Sequence, residues 1–198
     1  MKTKTTFLKY LYRNIGVITY LVFITLCFCC FYLVTSDHPS NLITAISDFG
    51  IHDETKWIFL GMCTVSAFGL MLLFKEVLTE LKLGKNLFIN AFGVALCAAF
   101  IGVALFPYNY FRTPHTLLTL SMFLGFGIFL LLIAIIKKFQ GKYMRFTGIL
   151  GVIDILFMFI FPLIIKPLGG WLFPEIILLS ILGFWIVVSE LFLKERMR

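Results

Sequence analysis

Long apolar runs separated by short clusters of charge organise this chain. Measured between charged residues, they cover residues 14–36, 57–74, 86–111 and 113–136, followed by 146–165 and 167–189, each of which holds one acid. Each run is close to or above the ~20 residues that a helix needs to cross hydrocarbon. Charge inside hydrocarbon is costly, so the charged clusters mark where the spans stop. The runs are too long and too evenly apolar for barrel strands, and an open sheet would leave unpaired edges in lipid. The pattern predicts an all-α polytopic membrane protein: one six-transmembrane-helix bundle over residues 1–198, with spans near 14–36, 57–74, 87–107, 114–136, 146–165 and 171–193.

The placement of the bases gives a direction. Of the 17 Lys and Arg residues, 14 fall before the first span, between the second and third, between the fourth and fifth, or after the sixth. The alternate connections hold only Lys56, Arg112 and Lys166. Loops rich in Lys and Arg stay in the cytoplasm, so both termini are expected to be cytoplasmic in a cell (inner) membrane protein. The first run is too long for a cleaved leader and has no small-x-small site before Ser36, which predicts a retained anchor.

Composition adds exclusions. With 61% hydrophobic and 14% charged residues, the chain is neither a soluble domain nor a disordered one. The net charge of +7 is spread along the basic rims, which points to anionic lipid head groups as partners and away from nucleic acid. Cys27, Cys29, Cys30, Cys63 and Cys97 all fall inside spans, where Cys serves as a small apolar residue, so neither a disulfide framework nor a metal site is expected. The third span repeats Ala91, Ala95 and Ala99, and also Ala98 and Gly102, at intervals of four. Such small-residue stripes let helices approach closely, so this span is expected at the bundle's centre.

Polar residues concentrate in the three connections on the outer side. The first carries Asp37, His38, Asp48, His52, Asp53 and Glu54, the second Tyr108, Tyr110, Phe111 and Arg112, and the third is a tight turn from Lys166 through Gly169 and Gly170 to Trp171. All three histidines, including His115, lie on this side.

Two short motifs carry a resemblance. Ile46-Ser47-Asp48-Phe49-Gly50 precedes Trp57-Ile58-Phe59, and Phe106-Pro107 is followed eight residues after the proline by His115. Together they resemble the bacterial and archaeal six-helix membrane family known as domain of unknown function 998. That family is similar in layout to the eukaryotic damage-regulated autophagy modulator family and its glycolipid-remodelling relatives. The resemblance covers about residues 10–195. Where the pattern often has a proline before the aromatic helix start, this chain has His52-Asp53-Glu54. The resemblance implies a six-helix fold and a lipid-linked membrane role, with no activity to carry over.

Ser47-Asp48-x-Gly50 reads either as a turn, with Gly50 supplying positive φ, or as a polar wall in which Asp48 faces Arg112 or His115. His115 lies one turn before Thr119 on the same helix face. Glu175, after Pro174, suits the first turn of the sixth helix and also stands where it can face Arg112 or Lys166. Asp154, near mid-membrane with no base at its depth, is read as a proton- or ion-handling group or as a structural hydrogen bonder. No HExxH, HxxxH or GxSxG motif occurs, so no catalytic residue, metal ligand or cofactor is assigned.

The leading expectation is therefore a lipid-associated or regulatory membrane protein. Its outward-facing pocket, formed by Ser47, Asp48, Arg112, His115 and Glu175, would bind a lipid head group or small polar ligand. The alternatives are a small transporter coupled through Asp154 and, third, a metal-dependent membrane hydrolase.

Overall fold

The computed structural model describes residues 14–37, 43, 45–168 and 172–196. Among the described residues there are six α-helices: α1 (Ile15–Asp37), α2 (Lys56–Glu80), α3 (Leu87–Leu105), α4 (Arg112–Ile136), α5 (Gly141–Leu168) and α6 (Leu172–Arg196). A short 3₁₀ helix, Ile46–Gly50, stands between α1 and α2. All six α-helices are long and apolar enough to cross a membrane, and no strand occurs among the described residues. His38, the turn at Gly169, Gly170 and Trp171, the Lys166 side chain and the whole first basic cluster (Lys2, Lys4, Lys9 and Arg13) lie outside the described residues.

The helices outrun the apolar runs that revealed them. α2 continues past Lys75 to Glu80, and α5 begins at Gly141, because charge marks the edge of hydrocarbon while backbone hydrogen bonding stops only at a capping turn. Two basic connections share one such turn. Lys82 (φ 56°) and Lys138 (φ 50°) adopt left-handed backbone just after α2 and α4. Leu83 N–H then donates to Leu78 O and Phe139 N–H to Ala134 O, which satisfies carbonyls that the helix ends would leave unpaired. At the other side of the first connection, Asn86 caps α3 by accepting from Ile89 N–H at 3.1 Å.

Neighbouring helices pack in chain order around a ring that α6 closes against α1, and α2 reaches across to α6. Aromatic rings fill the middle. Trp185 of α6 is fully buried, with Phe74 of α2 at 5.5 Å and Phe126 of α4 at 5.7 Å between ring centroids. α3 is not central. Ala91, Ala95 and Ala98 face outward, and only the Gly93, Ala99 and Gly102 side of α3 is buried against its neighbours.

The most extensive helix pair is α4 with α5, and its closest approach uses glycine. A Cβ on Gly151 would stand 2.7 Å from Gly127 O and 2.8 Å from Leu131 N, so backbone lies directly against backbone.

Candidate functional site

The polar residues of the α1–α2 connection are gathered by the 3₁₀ helix. Its first N–H groups have no partner within the element, and carboxylates supply them. Asp48 Oδ2 accepts from Ala45 N–H at 2.9 Å. Glu175 Oε2 accepts from Ile46 N–H at 2.6 Å. The far end is tied to the start of α2 by the buried Thr55 hydroxyl, which donates to Phe49 O at 2.7 Å. Gly50 sits within this helix without a positive φ. Its lack of a side chain serves packing, since a Cβ there would lie 3.1 Å from the Phe59 ring.

Glu175 thus occupies the first turn of α6 but caps a different element, 129 residues earlier in the chain. Its side chain is 5% exposed, so the ends of α6 and of the 3₁₀ helix are joined through a buried carboxyl.

The α3–α4 corner is built around Pro107. Tyr110 and Phe111 both donate backbone N–H groups to Pro107 O, turning the chain into α4. His115, one turn into α4, reaches back so that its Nδ1 lies 2.8 Å from Phe106 O. A carbonyl can only accept, so Nδ1 carries the hydrogen, and in the neutral ring Nε2 holds the lone pair. The His115 and Tyr108 rings meet edge to face at 5.7 Å. Outside them the Arg112 guanidinium lies 5.6 Å from the Tyr108 ring centroid, a cation-π contact.

These pieces enclose a cavity of about 460 Å³ between the ends of α4, α5 and α6 under the 3₁₀ helix. The volume falls within the roughly 300–1,000 Å³ usual for small-molecule sites. Ser47, Asp48, Arg112, His115 and Glu175, the five residues singled out from the sequence, all line it. Asp48 does so while bonded within its own turn, so the turn and the polar wall are one structure. Thr119 joins them, and its hydroxyl is buried with no hydrogen-bond partner among the described residues.

Polarity falls with depth. Arg112, His115 and Thr116 line the upper part of α4, Thr119 comes next, and Leu120 and Phe123 follow at the bottom. Met158 and Phe161 of α5 and Leu178 of α6 complete the apolar lower wall. Thr116 and Leu120 are exposed on the bundle's flank as well as lining the cavity, which places a lateral opening beside α4.

Asp154 stands apart. It is 1% exposed, faces the backbone of Gly127 on α4, and does not line the cavity. Met158, one turn away on α5, is the nearest cavity-lining residue on that helix. Glu190, which the charge pattern treats only as an end marker of the sixth run, proves to be buried near the opposite end of α6 and accepts from Val17 N–H at 2.8 Å. It mirrors Glu175: one buried glutamate at each end of α6 meets backbone N–H groups of another element. The signal available for Glu190 was an acid just after Ser189, within reach of hydrocarbon.

His52, Asp53 and Glu54 do not line the cavity. Asp53 is exposed, and the Lys56 ammonium beside it holds its carboxyl below the usual carboxylate range. Among the described residues no cluster of three His, Cys, Asp or Glu side chains has the spacing to hold a metal ion. Set against known proteins, the chain matches no family model, no curated protein and no solved structure.

Proposed function

We propose that this is an integral membrane protein of lipid-associated or regulatory type, whose cavity takes the polar head of an amphiphile while its chains lie in the bilayer. The observation that carries this reading is the cavity's gradient, from Arg112, His115 and Glu175 at one end to Phe123, Met158 and Leu178 at the other. An amphiphile entering beside Thr116 and Leu120 would find head-group partners at the membrane's edge and apolar contacts below. A purely soluble ligand would leave that lower wall unused.

The basic loops support placing the cavity on the outer face of the cell membrane with both termini cytoplasmic. Ser47 and Asp48, and His115 after Phe106-Pro107, are the residues on which the resemblance to that six-helix family rests, and all three line the cavity. Asp154 does not line the cavity, so an amphiphile held there does not meet it, and both its carboxyl oxygens are buried with no hydrogen-bond partner among the described residues.

One labelling experiment tests side and site together. In intact cells, Thr116→Cys is expected to react with a membrane-impermeant maleimide added outside, and short-chain phosphatidylethanolamine, phosphatidylglycerol and phosphatidylcholine together should slow that reaction severalfold. Labelling that needs permeabilised cells overturns the orientation. Labelling that the lipid mixture leaves unchanged overturns the amphiphile reading.

A further inference from the structure

One aromatic ring at the foot of the cavity also borders unfilled space deeper in the bundle. Phe123 of α4 is 7% exposed and lines the outer cavity together with Leu178. It lines two smaller cavities as well, each of about 30 Å³. The first lies under the 3₁₀ helix, with Ser47, Thr119 and Glu175 in its wall beside Phe23, Phe59 and Phe100. The second lies among α2, α3, α4 and α6, walled by Leu70, Phe74, Leu96, Cys97, Phe126 and Leu182. Among the described residues Phe123 is the single one common to all three spaces. Ser47, Thr119 and Glu175 stand between the outer cavity and the first chamber only, and Leu178 between the outer cavity and the second only.

We propose that Phe123 decides where the chain of a bound amphiphile goes: its ring stops the chain at the foot of the cavity and turns it sideways past Leu120 into the bilayer, closing off an apolar route to the bundle's centre. The proposal rests on the amphiphile reading and adds the residue that sets how much of the molecule the protein holds. Beyond the ring, Leu70, Leu96 and Leu182 offer a chain surroundings as apolar as lipid, so the ring's bulk is what keeps the chain out. Packed interiors leave few voids, and an apolar one stays dry and accepts an apolar guest. Removing a large core side chain leaves much of its volume open, because the surroundings relax only in part. At Phe123 that vacated volume would join three spaces into one channel. A chain left in the bilayer is not measured by the protein, whereas a chain drawn into the bundle is.

The test uses the full chain in bilayer nanodiscs with a mixture of phosphatidylethanolamine, phosphatidylglycerol and phosphatidylcholine, each carrying a photoreactive diazirine. In one set the diazirine sits beside the head group, in the other at the end of one chain, and labelled residues are mapped by peptide mass spectrometry. In the parent protein the head-side probes are expected on Met158 and Leu178. The chain-end probes are expected on outward-facing residues of α4 such as Ile128, with little on Leu70, Leu96 and Leu182. Phe123→Ala is expected to keep the head-side labelling and to raise chain-end labelling of Leu70, Leu96 and Leu182 severalfold. If the parent already labels those three as strongly, the ring is not a stop. If Phe123→Ala keeps the head-side labelling and leaves the chain-end pattern unchanged, Phe123 does not set the path, while the amphiphile reading stands. Absence of head-side labelling at Met158 and Leu178 in the parent overturns the amphiphile reading and this proposal with it.

Two further variants separate the ring's position from loss of packing. Met122 lines both small chambers but not the outer cavity, so Met122→Ala enlarges them without opening the floor and is expected to keep the parent's pattern. If it admits the chain as well as Phe123→Ala does, general loosening is the cause and the proposal fails. Because truncating a buried aromatic side chain costs stability, Phe123→Leu serves as a milder change and is expected to shift labelling inward to a smaller extent. A folded Phe123→Leu protein, judged by its thermal midpoint, with no inward shift at all would overturn the proposal even if Phe123→Ala does not fold.

Discussion

Gly151→Val is expected to cost about 3 kcal/mol, at the upper end of what overpacking usually costs, and to lower the thermal midpoint in detergent by roughly 5–10 °C. The atoms that a new side chain would meet at this position are Gly127 O and Leu131 N, both backbone, and neither can rotate away. Relief requires α4 and α5 to separate. That would unpack Asp154 from Gly127 and widen the wall carrying Met158 and Phe161. Gly61 is the control, since a Cβ there meets nothing within 4 Å, and Gly61→Ala within α2 is expected to hold or slightly raise the midpoint. A Gly151→Val protein as stable as the parent would mean that the α4–α5 crossing is looser than described.

The second large effect is expected at Glu175. Replacing it by Leu fills similar space with an apolar side chain but leaves Ile46 N–H without its acceptor in a buried place. An orphaned buried donor costs about 1–3 kcal/mol, so the expected loss is about 2 kcal/mol, together with release of the 3₁₀ helix from α6. With its roof detached, the lipid retention proposed for the cavity is expected to fall as well. Glu175→Gln retains an oxygen that can accept from Ile46 and is expected to preserve most of the stability. The comparison is read from thermal midpoints and from lipid retention on the same preparations. If Leu and Gln behave alike, the carboxyl is not what holds the roof.

Much of this was legible in the sequence because the chain has few polar residues, and each one inside or beside hydrocarbon needs a reason to be there. The six helices follow from the spacing of charge. Ser47, Asp48, Arg112, His115 and Glu175 stand out as polar residues crowded at one end of a nearly apolar chain, and the fold brings all five to one cavity. What charge spacing could not supply was partnership. Glu175 looks like a cap for its own helix, yet it caps a turn far away in sequence, because the nearest unsatisfied N–H groups after folding belong to the 3₁₀ helix. Asp48 reads either as a turn residue or as one facing Arg112 or His115. Its Oδ2 is taken by Ala45 N–H, three residues away, the local bond of the turn reading, while the residue also lines the cavity.

The misplacement of α3 has a similar cause. A small-residue stripe permits close packing without requiring it, and Ala91 and Ala95 point away from the bundle. The close contact formed instead at Gly127 and Gly151, where two glycines oppose each other and no Cβ stands between backbones. One helix's pattern does not show that coincidence, since it depends on the register between two helices. Helix ends were also hidden: Lys82 and Lys138 adopt the left-handed turn that glycine would have advertised.

The most direct test of the account is a high-resolution density map of the protein in a bilayer of phosphatidylethanolamine and phosphatidylglycerol. The account predicts head-group density bounded by Asp48, Arg112, His115 and Glu175, continuous with chain density that passes Phe123 and Leu178 and leaves the bundle beside Leu120. A map in which those four side chains surround only water, with lipid chains confined to the outside of the helices, would contradict it.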